Sequence, residues 1–174
     1  GVPTHVLNGH IGEVHDVAWN PAGTQLASAG SDKTVRLWKA DGAPQSVLRD
    51  HGSPVFCIDW SPNGKLLASG GGSLVPPNVQ GKCGDNVVRV WNVEDDAVVQ
   101  RFPGHDLPIR SLDFSPNGRT LASAGGNVSD RVWQLGTVRL WNLIDGTAGR
   151  VWQHRRNRDS SSVCWSPDGR NLAT

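Results

Sequence analysis

The chain has no methionine and no tyrosine, only three phenylalanines and three cysteines, and a net charge of +1 from seventeen basic and sixteen acidic residues. Each scarcity excludes something. So balanced a charge sets up no long-range field for drawing in nucleic acid or an anionic membrane. The apolar runs are short, none near the roughly 20 residues that a spanning helix needs, so a soluble chain is expected. Cys57, Cys83 and Cys164 are far apart and make no C-x-x-C pair. Three such thiols fit a reducing compartment better than a disulfide framework, and a cytoplasmic location is expected. No basic start followed by an apolar segment marks a signal peptide. With no methionine anywhere, Gly1 is expected not to be the true start of the gene product. What the chain does hold is twenty-one glycines and eleven prolines, a composition of many strands joined by tight turns.

Self-similarity organises those strands. Val17-Ala-Trp-Asn-Pro-Ala-Gly returns as Ile58-Asp-Trp-Ser-Pro-Asn-Gly, Leu112-Asp-Phe-Ser-Pro-Asn-Gly and Val163-Cys-Trp-Ser-Pro-Asp-Gly. Each copy leads to Leu26-Ala-Ser, Leu67-Ala-Ser, Leu121-Ala-Ser or Leu172-Ala-Thr, and three go on to Val35-Arg-Leu-Trp, Val88-Arg-Val-Trp or Val138-Arg-Leu-Trp. The runs are short, alternating and rich in Val, Ile, Leu and Trp, and Pro-Asn-Gly is a tight-turn signal, so each copy predicts a β-meander of strands a, b and c. A further apolar segment precedes each histidine (4–7, 45–48, 98–102 and 149–152) and predicts an outer strand. Four-stranded sheets in series suggest propeller blades.

Gly9-His10 before the first hairpin, with Ser31-Asp32-Lys-Thr-Val-Arg-Leu-Trp38 after it, resembles the WD-repeat family, and copies cover nearly the whole chain. Trp19 and Trp60 lie 41 residues apart, about the usual period of that family, whereas the next two spacings are 54 and 51, so the later repeats carry insertions. Where the family usually has Asp after the last Trp, this chain has Lys39, Asn92 and Asn142. The expected repeats are 1–40, 41–93, 94–143 and a truncated 144–174. The expected fold is an all-β propeller of WD-repeat type, about three and three-quarter blades of a ring of about seven. Fifteen predicted strands cannot close a ring, and an open arc would leave apolar faces and sheet edges in water. The remaining blades are therefore expected from missing sequence. A second copy is the poorer account, since two chains would supply eight a strands but six c strands.

His10, Ser28 and Asp32 carry the side chains of a serine-hydrolase triad. The set recurs as His51, Ser69 and Asp85, and in part as His105 with Ser123 and His154 with Thr174. Catalysis needs one such set, whereas architecture needs one per blade, so no catalytic residue is assigned and no enzyme is expected. By resemblance to the family, the His bonds the Asp of the b-to-c turn, and the Ser or Thr hydroxyl joins the indole N–H of Trp38, Trp91 or Trp141 to it. Breaking one such bond costs about 1 to 3 kcal/mol. In the third repeat Leu135 stands six residues before Trp141, where Asp is expected. Either Asp130 stands in or His105 is free.

Other motifs are weaker. Gly70-Gly-Gly-Ser73 lacks the Lys-Ser/Thr and following helix of a phosphate cradle. The histidines and cysteines have no zinc spacing, so neither metal nor cofactor is expected. Asn127-Val-Ser129 is a glycosylation acceptor by pattern, expected to stay bare in a cytoplasmic chain.

Repetition also separates fold from function: a residue present in every copy serves the shared fold, and one found in a single copy is free to serve a partner. Arg36, Arg89 and Arg139 recur in each strand c and read as structural or solvated edge charges. Three places pass. The insertions at about 71–84 and 126–136 both lie between strands b and c, on the face of the histidine loops, and carry Val75, Pro76, Pro77, Val128, Val132 and Trp133 outside the pattern. Exposed aromatics often anchor interfaces, although these loops equally suit lids over their own blades. At the start of strand a, His15, Phe56, Arg110 and Ser161 occupy one equivalent position with four chemistries. Finally, Arg150, Arg155, Arg156 and Arg158 surround His154, suiting either a solvated face or an acidic or phosphorylated segment. The expected function is a protein-protein scaffold or adaptor, or the sensor end of a larger signalling chain. A nucleic-acid partner through the arginine stretch is disfavoured by the neutral net charge, and no membrane partner is expected.

Overall fold

The computed structural model describes residues 5–73, 84–126, 136–153 and 162–174, and among them every regular element is a strand. Three four-stranded antiparallel sheets follow one another. Blade 1 is β1 (Val14–Trp19), β2 (Gln25–Gly30), β3 (Thr34–Lys39) and β4 (Pro44–Arg49), hydrogen-bonded in that order. Blade 2 is β5 (Val55–Trp60), β6 (Leu66–Gly71), β7 (Val88–Asn92) and β8 (Ala97–Phe102). Blade 3 is β9 (Ile109–Phe114), β10 (Thr120–Gly125), β11 (Thr137–Asn142) and β12 (Ala148–Gln153). A two-stranded hairpin, β13 (Cys164–Trp165) with β14 (Leu172–Ala173), begins a fourth.

The turns explain the recurring Pro-x-Gly. Gly23, Gly64, Gly118 and Gly169 adopt φ of 67 to 68°, a left-handed conformation that a side chain disfavours. Each donates its N–H to the carbonyl three residues back, on Asn20, Ser61, Ser115 or Ser166, at 2.7 to 2.9 Å. The chain therefore reverses at one register in all four copies.

The core lies between the blades. Period-two alternation sends Leu67 and Trp91 to the face shared with Ala27, Val35 and Leu37 of blade 1, and sends Ala68, Val88 and Val90 to the face shared with Ile109, Leu112 and Phe114 of blade 3. Blade 2 is thus buried on both sides. Ala122, Ala124 and Val138 of blade 3 in turn pack against Val163, Trp165 and Leu172 of the last hairpin.

The outer segment that opens each repeat belongs to the preceding blade: β4 pairs with β3, β8 with β7 and β12 with β11. The first predicted outer strand, residues 4–7, departs from expectation, because 5–7 form no strand. Its physical reason is the same rule, since no strand c of an earlier blade lies beside it among the described residues.

Candidate functional site

The innermost strands bend at one shared point. Between Val14 and Asp16, between Val55 and Cys57, and between Ile109 and Ser111 the pairing with the second strand skips a residue. The skipped residues are His15, Phe56 and Arg110. A bulge of this kind re-aims the side chain it carries, which is why three residues of one sequence position turn together to the same rim. There they touch. The His15 and Phe56 rings meet in a T-shaped arrangement with centroids 4.9 Å apart, and the Arg110 guanidinium carbon sits 4.3 Å from the centroid of the Phe56 ring, over it. The Ser31 hydroxyl holds His15 Nε2 at 2.8 Å. A histidine ring, an aromatic ring and a guanidinium thus make one ladder across three blades, joined by quadrupole and cation–π attraction.

Beneath the rim, the recurring polar sets close in three ways. In blade 1, His10 Nδ1 meets Asp32 Oδ1 at 2.9 Å, Nε2 meets Ser28 Oγ at 2.8 Å, and the Trp38 indole N–H donates to that hydroxyl at 2.9 Å. The Thr34 hydroxyl also donates to Asp32, at 2.7 Å. These bonds help to hold the Asp32 carboxyl at about 2, although burial acts the other way.

Blade 2 corrects the arrangement that the family resemblance implies. His51 Nε2 meets Ser69 at 2.7 Å, and Trp91 donates to the same hydroxyl at 2.7 Å, but His51 Nδ1 stands 3.9 Å from Asp85. That nitrogen instead accepts from Arg89 at 3.1 Å. Arg89 is buried and also reaches Asp85 at 2.9 Å and Asp50 at 2.6 Å, while Arg101 closes on Asp50 at 3.0 Å. An accepting Nδ1 places the ring proton on Nε2, the reverse of His10, whose Nδ1 faces a carboxylate and must donate. Burial, followed by the neighbouring Arg89 charge, pushes the His51 imidazole down to about 4.

Blade 3 answers one branch of the choice left open for His105. It is not free: Nδ1 meets the Thr137 hydroxyl at 3.0 Å and Nε2 meets Ser123 at 2.7 Å, with the Trp141 indole donating to Ser123 at 2.7 Å. Burial, aided by Arg139, pushes His105 down to about 3. Asp130 and Leu135 lie outside the described residues.

Some of these partners were visible in the sequence and overlooked. Thr34 and Thr137 both stand four residues before their Trp, and Asp50 occupies the place of Gly9 and Gly104 in the other copies. The single-copy criterion that selects Phe56 selects Asp50 equally. The recurring arginines prove unlike: Arg89 is fully engaged, whereas Arg36 Nε and Arg139 Nε are buried with no hydrogen-bond partner among the described residues.

A third recurrent device lines the inner edge. Asp16 accepts the Ile58 N–H at 2.9 Å, Asp59 accepts that of Phe114 at 2.7 Å, Ser111 accepts that of Val163 at 3.1 Å, and Asp113 accepts that of Trp165. Strand a has no neighbour on its inner side, so its inward N–H groups need acceptors, and the preceding blade supplies them. Burial pushes the Asp59 carboxyl up to about 7.

Val75, Pro76, Pro77, Val128, Val132, Trp133, His154, Arg155, Arg156, Arg158 and Ser161 lie outside the described residues. Thr174 lies with Trp152, Trp165 and Leu172 along a groove beside the last hairpin. Among the described residues no three His, Cys, Asp or Glu side chains are grouped to hold a metal ion, and no helix is long and apolar enough to cross a membrane.

Comparison with known proteins agrees with this geometry. The family profile described as WD domain, G-beta repeat matches residues 1–39, 42–92 and 97–142. WD40 repeat-containing protein HOS15 of Arabidopsis thaliana is 30% identical over 171 residues, 98% of this chain and 26% of that protein. WD repeat and HMG-box DNA-binding protein 1 of Mus musculus is 36% identical over 95 residues, 51% of this chain and 8% of that protein. A p21-activated protein kinase-interacting protein 1-like of Xenopus laevis is 31% identical over 85 residues, 49% of this chain and 21% of that protein. The matched regions span about a quarter or less of each of these relatives.

Proposed function

The chain belongs to the WD-repeat family, and on that premise we propose that it is a non-catalytic scaffold whose partner docks on the rim formed by His15, Phe56 and Arg110. Proteins of this family generally serve as protein-binding scaffolds. The observation that carries the choice of rim is the run of three bulges, which aims three unlike side chains at one place and brings them into contact across blades. Bulged strands re-aim side chains next to binding sites, and an aromatic flanked by a guanidinium is the composition of interface hot spots. The polar sets beneath are consumed in holding loops to strands, which supports a structural role for them over a catalytic one. Both b-to-c insertions, with Val75, Pro76, Pro77, Val132 and Trp133, belong to the same proposal as flanking contacts, and so does a cytoplasmic setting.

The test separates binding from folding. Partner proteins captured by the chain should be lost with Arg110→Ala and with Phe56→Ala, at about 1 to 2 kcal/mol or more each, while thermal unfolding stays near that of the parent. Equal recovery by parent and both variants would overturn the choice of rim.

A further inference from the structure

At the end of the blades opposite the rim, blades 1 and 2 frame a cleft of about 790 Å³. Gln25 and Gln45 of blade 1 line it together with Asn63, Lys65, Asn92 and Glu94 of blade 2. Its volume lies in the range of ligand clefts, about 300 to 1,000 Å³. At the same register between blades 2 and 3 the chain has apolar residues instead. Leu66 opens β6 as Gln25 opens β2, Val99 stands on β8 where Gln45 stands on β4, and Ile144 follows Trp141 at the interval by which Glu94 follows Trp91. By the criterion that separates fold from partner, the two glutamines are single-copy residues, free of any duty that the other blades share.

Two side-chain bonds hold this boundary in shape. Gln25 Nε2 donates to Gln45 Oε1 at 2.9 Å, and from blade 1 to blade 2 the Ser46 hydroxyl donates to Asp96 Oδ1 at 2.9 Å. Asp96 takes a left-handed φ of 56°, where the matching turns of blades 1 and 3 use Gly42 and Gly146. A side chain in that conformation costs stability, and such strain gathers at binding sites. The hydrogen bonds also say what the cleft offers. Gln45 Oε1 is taken by Gln25, Asn63 Oδ1 accepts from the Ser61 hydroxyl at 2.8 Å and the Lys65 N–H at 3.0 Å, and Asn92 Oδ1 accepts the Glu94 N–H at 3.0 Å. With its oxygen committed, each of these three amides keeps an unbonded NH2 group among the described residues. The exposed Lys65 adds an ammonium, and Glu94 is the one carboxylate of the lining. Donors are in excess.

We propose that this cleft binds an extended acidic segment of a protein partner, its backbone carbonyls received by the NH2 groups of Gln45, Asn63 and Asn92 and one carboxylate side chain by Lys65. Carbonyls and carboxylates only accept, so they match a lining whose oxygens are spent, whereas a basic segment would bring more donors to it. The donor row is fixed beforehand by two turns and the glutamine pair, so little ordering is left for the partner to impose. Glu94 sets the register of the segment, because its charge repels a second carboxylate at its own end of the cleft. The site stands apart from the rim, at the other end of the blades, and neither requires the other.

The NH2 signals of Gln45, Asn63 and Asn92 in proton–nitrogen NMR spectra of the whole chain report the contact directly. The probe is an acetylated and amidated peptide of alternating alanine and glutamate, with the alanine–glutamine peptide as its control. The glutamate peptide should move all three signals along one saturable curve and leave the Phe56 backbone amide in place. It should bind at least about tenfold more tightly than the glutamine peptide, because its bond to Lys65 is charge-assisted. Lys65→Gln should erase that preference. Gln25→Leu with Gln45→Val, which installs the residues that blade 2 carries, should abolish the shifts of Asn63 and Asn92, while Phe56→Ala leaves them intact. The proposal is overturned by NH2 signals that do not move, by equal binding of the two peptides, by a preference that survives Lys65→Gln, or by a glutamine double variant that binds as the parent does. Shifts reproduced in full by sodium acetate overturn it too, since they mark a site for a lone carboxylate only. Should the double variant fail to fold, Lys65→Gln, a change at an exposed side chain, decides alone.

Discussion

Blades 2 and 3 hold the same three side chains at nearly the same distances, yet one is closed by charge and the other by a hydroxyl. His51 rests against Arg89, which two aspartates and the Arg101 pairing keep in place. His105 rests against Thr137, and the corresponding Arg139 lies 6.0 Å above the Trp141 ring with its Nε unbonded. The position of Thr137 is Val87 in blade 2, where the arginine makes a hydroxyl unnecessary. A blade therefore needs something polar at His Nδ1, either donor or acceptor, and the imidazole changes tautomer to suit.

The sharpest way to break this comparison is to remove the two arginines. Arg89→Ala strips a buried cation from Asp50, Asp85 and His51, and should cost about 3 kcal/mol, less than a fully sealed pair because both aspartates reach solvent. Arg139→Ala removes packing over Trp141 and little else, and should cost about 1 kcal/mol. Urea-unfolding midpoints of the two variants check this; equal losses would mean that charge in blade 2 does no more than packing in blade 3.

A second comparison uses pH. Both histidines have folded values depressed below 6.5, so their stabilisation is present above 6.5 and is lost as pH falls toward about 4 for His51 and about 3 for His105. Asp59 runs the other way. Its folded value is raised from 3.8 to about 7, so its contribution is fully present below 3.8 and is lost as pH rises through 7. Between pH 7 and 4 the aspartate thus offsets part of the histidine loss. Asp59→Asn keeps an acceptor for Phe114 without the titration, and its stability should match or exceed that of the parent at pH 7.5 and fall more steeply on acidification. Unfolding midpoints at several pH values test the slope; parallel curves would refute the offset.

The smallest effect comes from grafting one blade's chemistry onto another. Asp50 stands where blades 1 and 3 have Gly9 and Gly104. A Cβ at Gly9 would lie 2.5 Å from Arg36 Nη1, the movable end of a long side chain, and Gly9 has no left-handed backbone to protect. Gly9→Asp should therefore pair with Arg36 and add about 0.5 kcal/mol, as a partly exposed ion pair does. Gly104 has φ of +136°, so Gly104→Asp should instead destabilise by about 1 kcal/mol or more. Thermal midpoints of opposite sign are the expected readout.

Much of this molecule follows from local rules that a linear reading applies without a structure. Alternating apolar residues and Pro-x-Gly turns specify strands, their lengths and their order, because strand periodicity and left-handed turn residues are properties of a few neighbouring positions. The recurrence of His, Ser and Trp likewise showed where in each repeat a polar set would stand. Other features needed the third dimension. His15, Phe56 and Arg110 are 41 and 54 residues apart, and nothing in the chain between them says that their side chains will meet; the bulges and the blade spacing decide that. The roles of Thr137 and Asp50 depended on which groups the folded loops brought to His105 and Arg89. The sequence by itself determined the blade, since a blade is built from adjacent segments. Only the tertiary structure decided how each blade is sealed to the next and at its polar end, because those bonds join residues from 32 to 55 positions apart, whose meeting is a consequence of packing rather than of spacing.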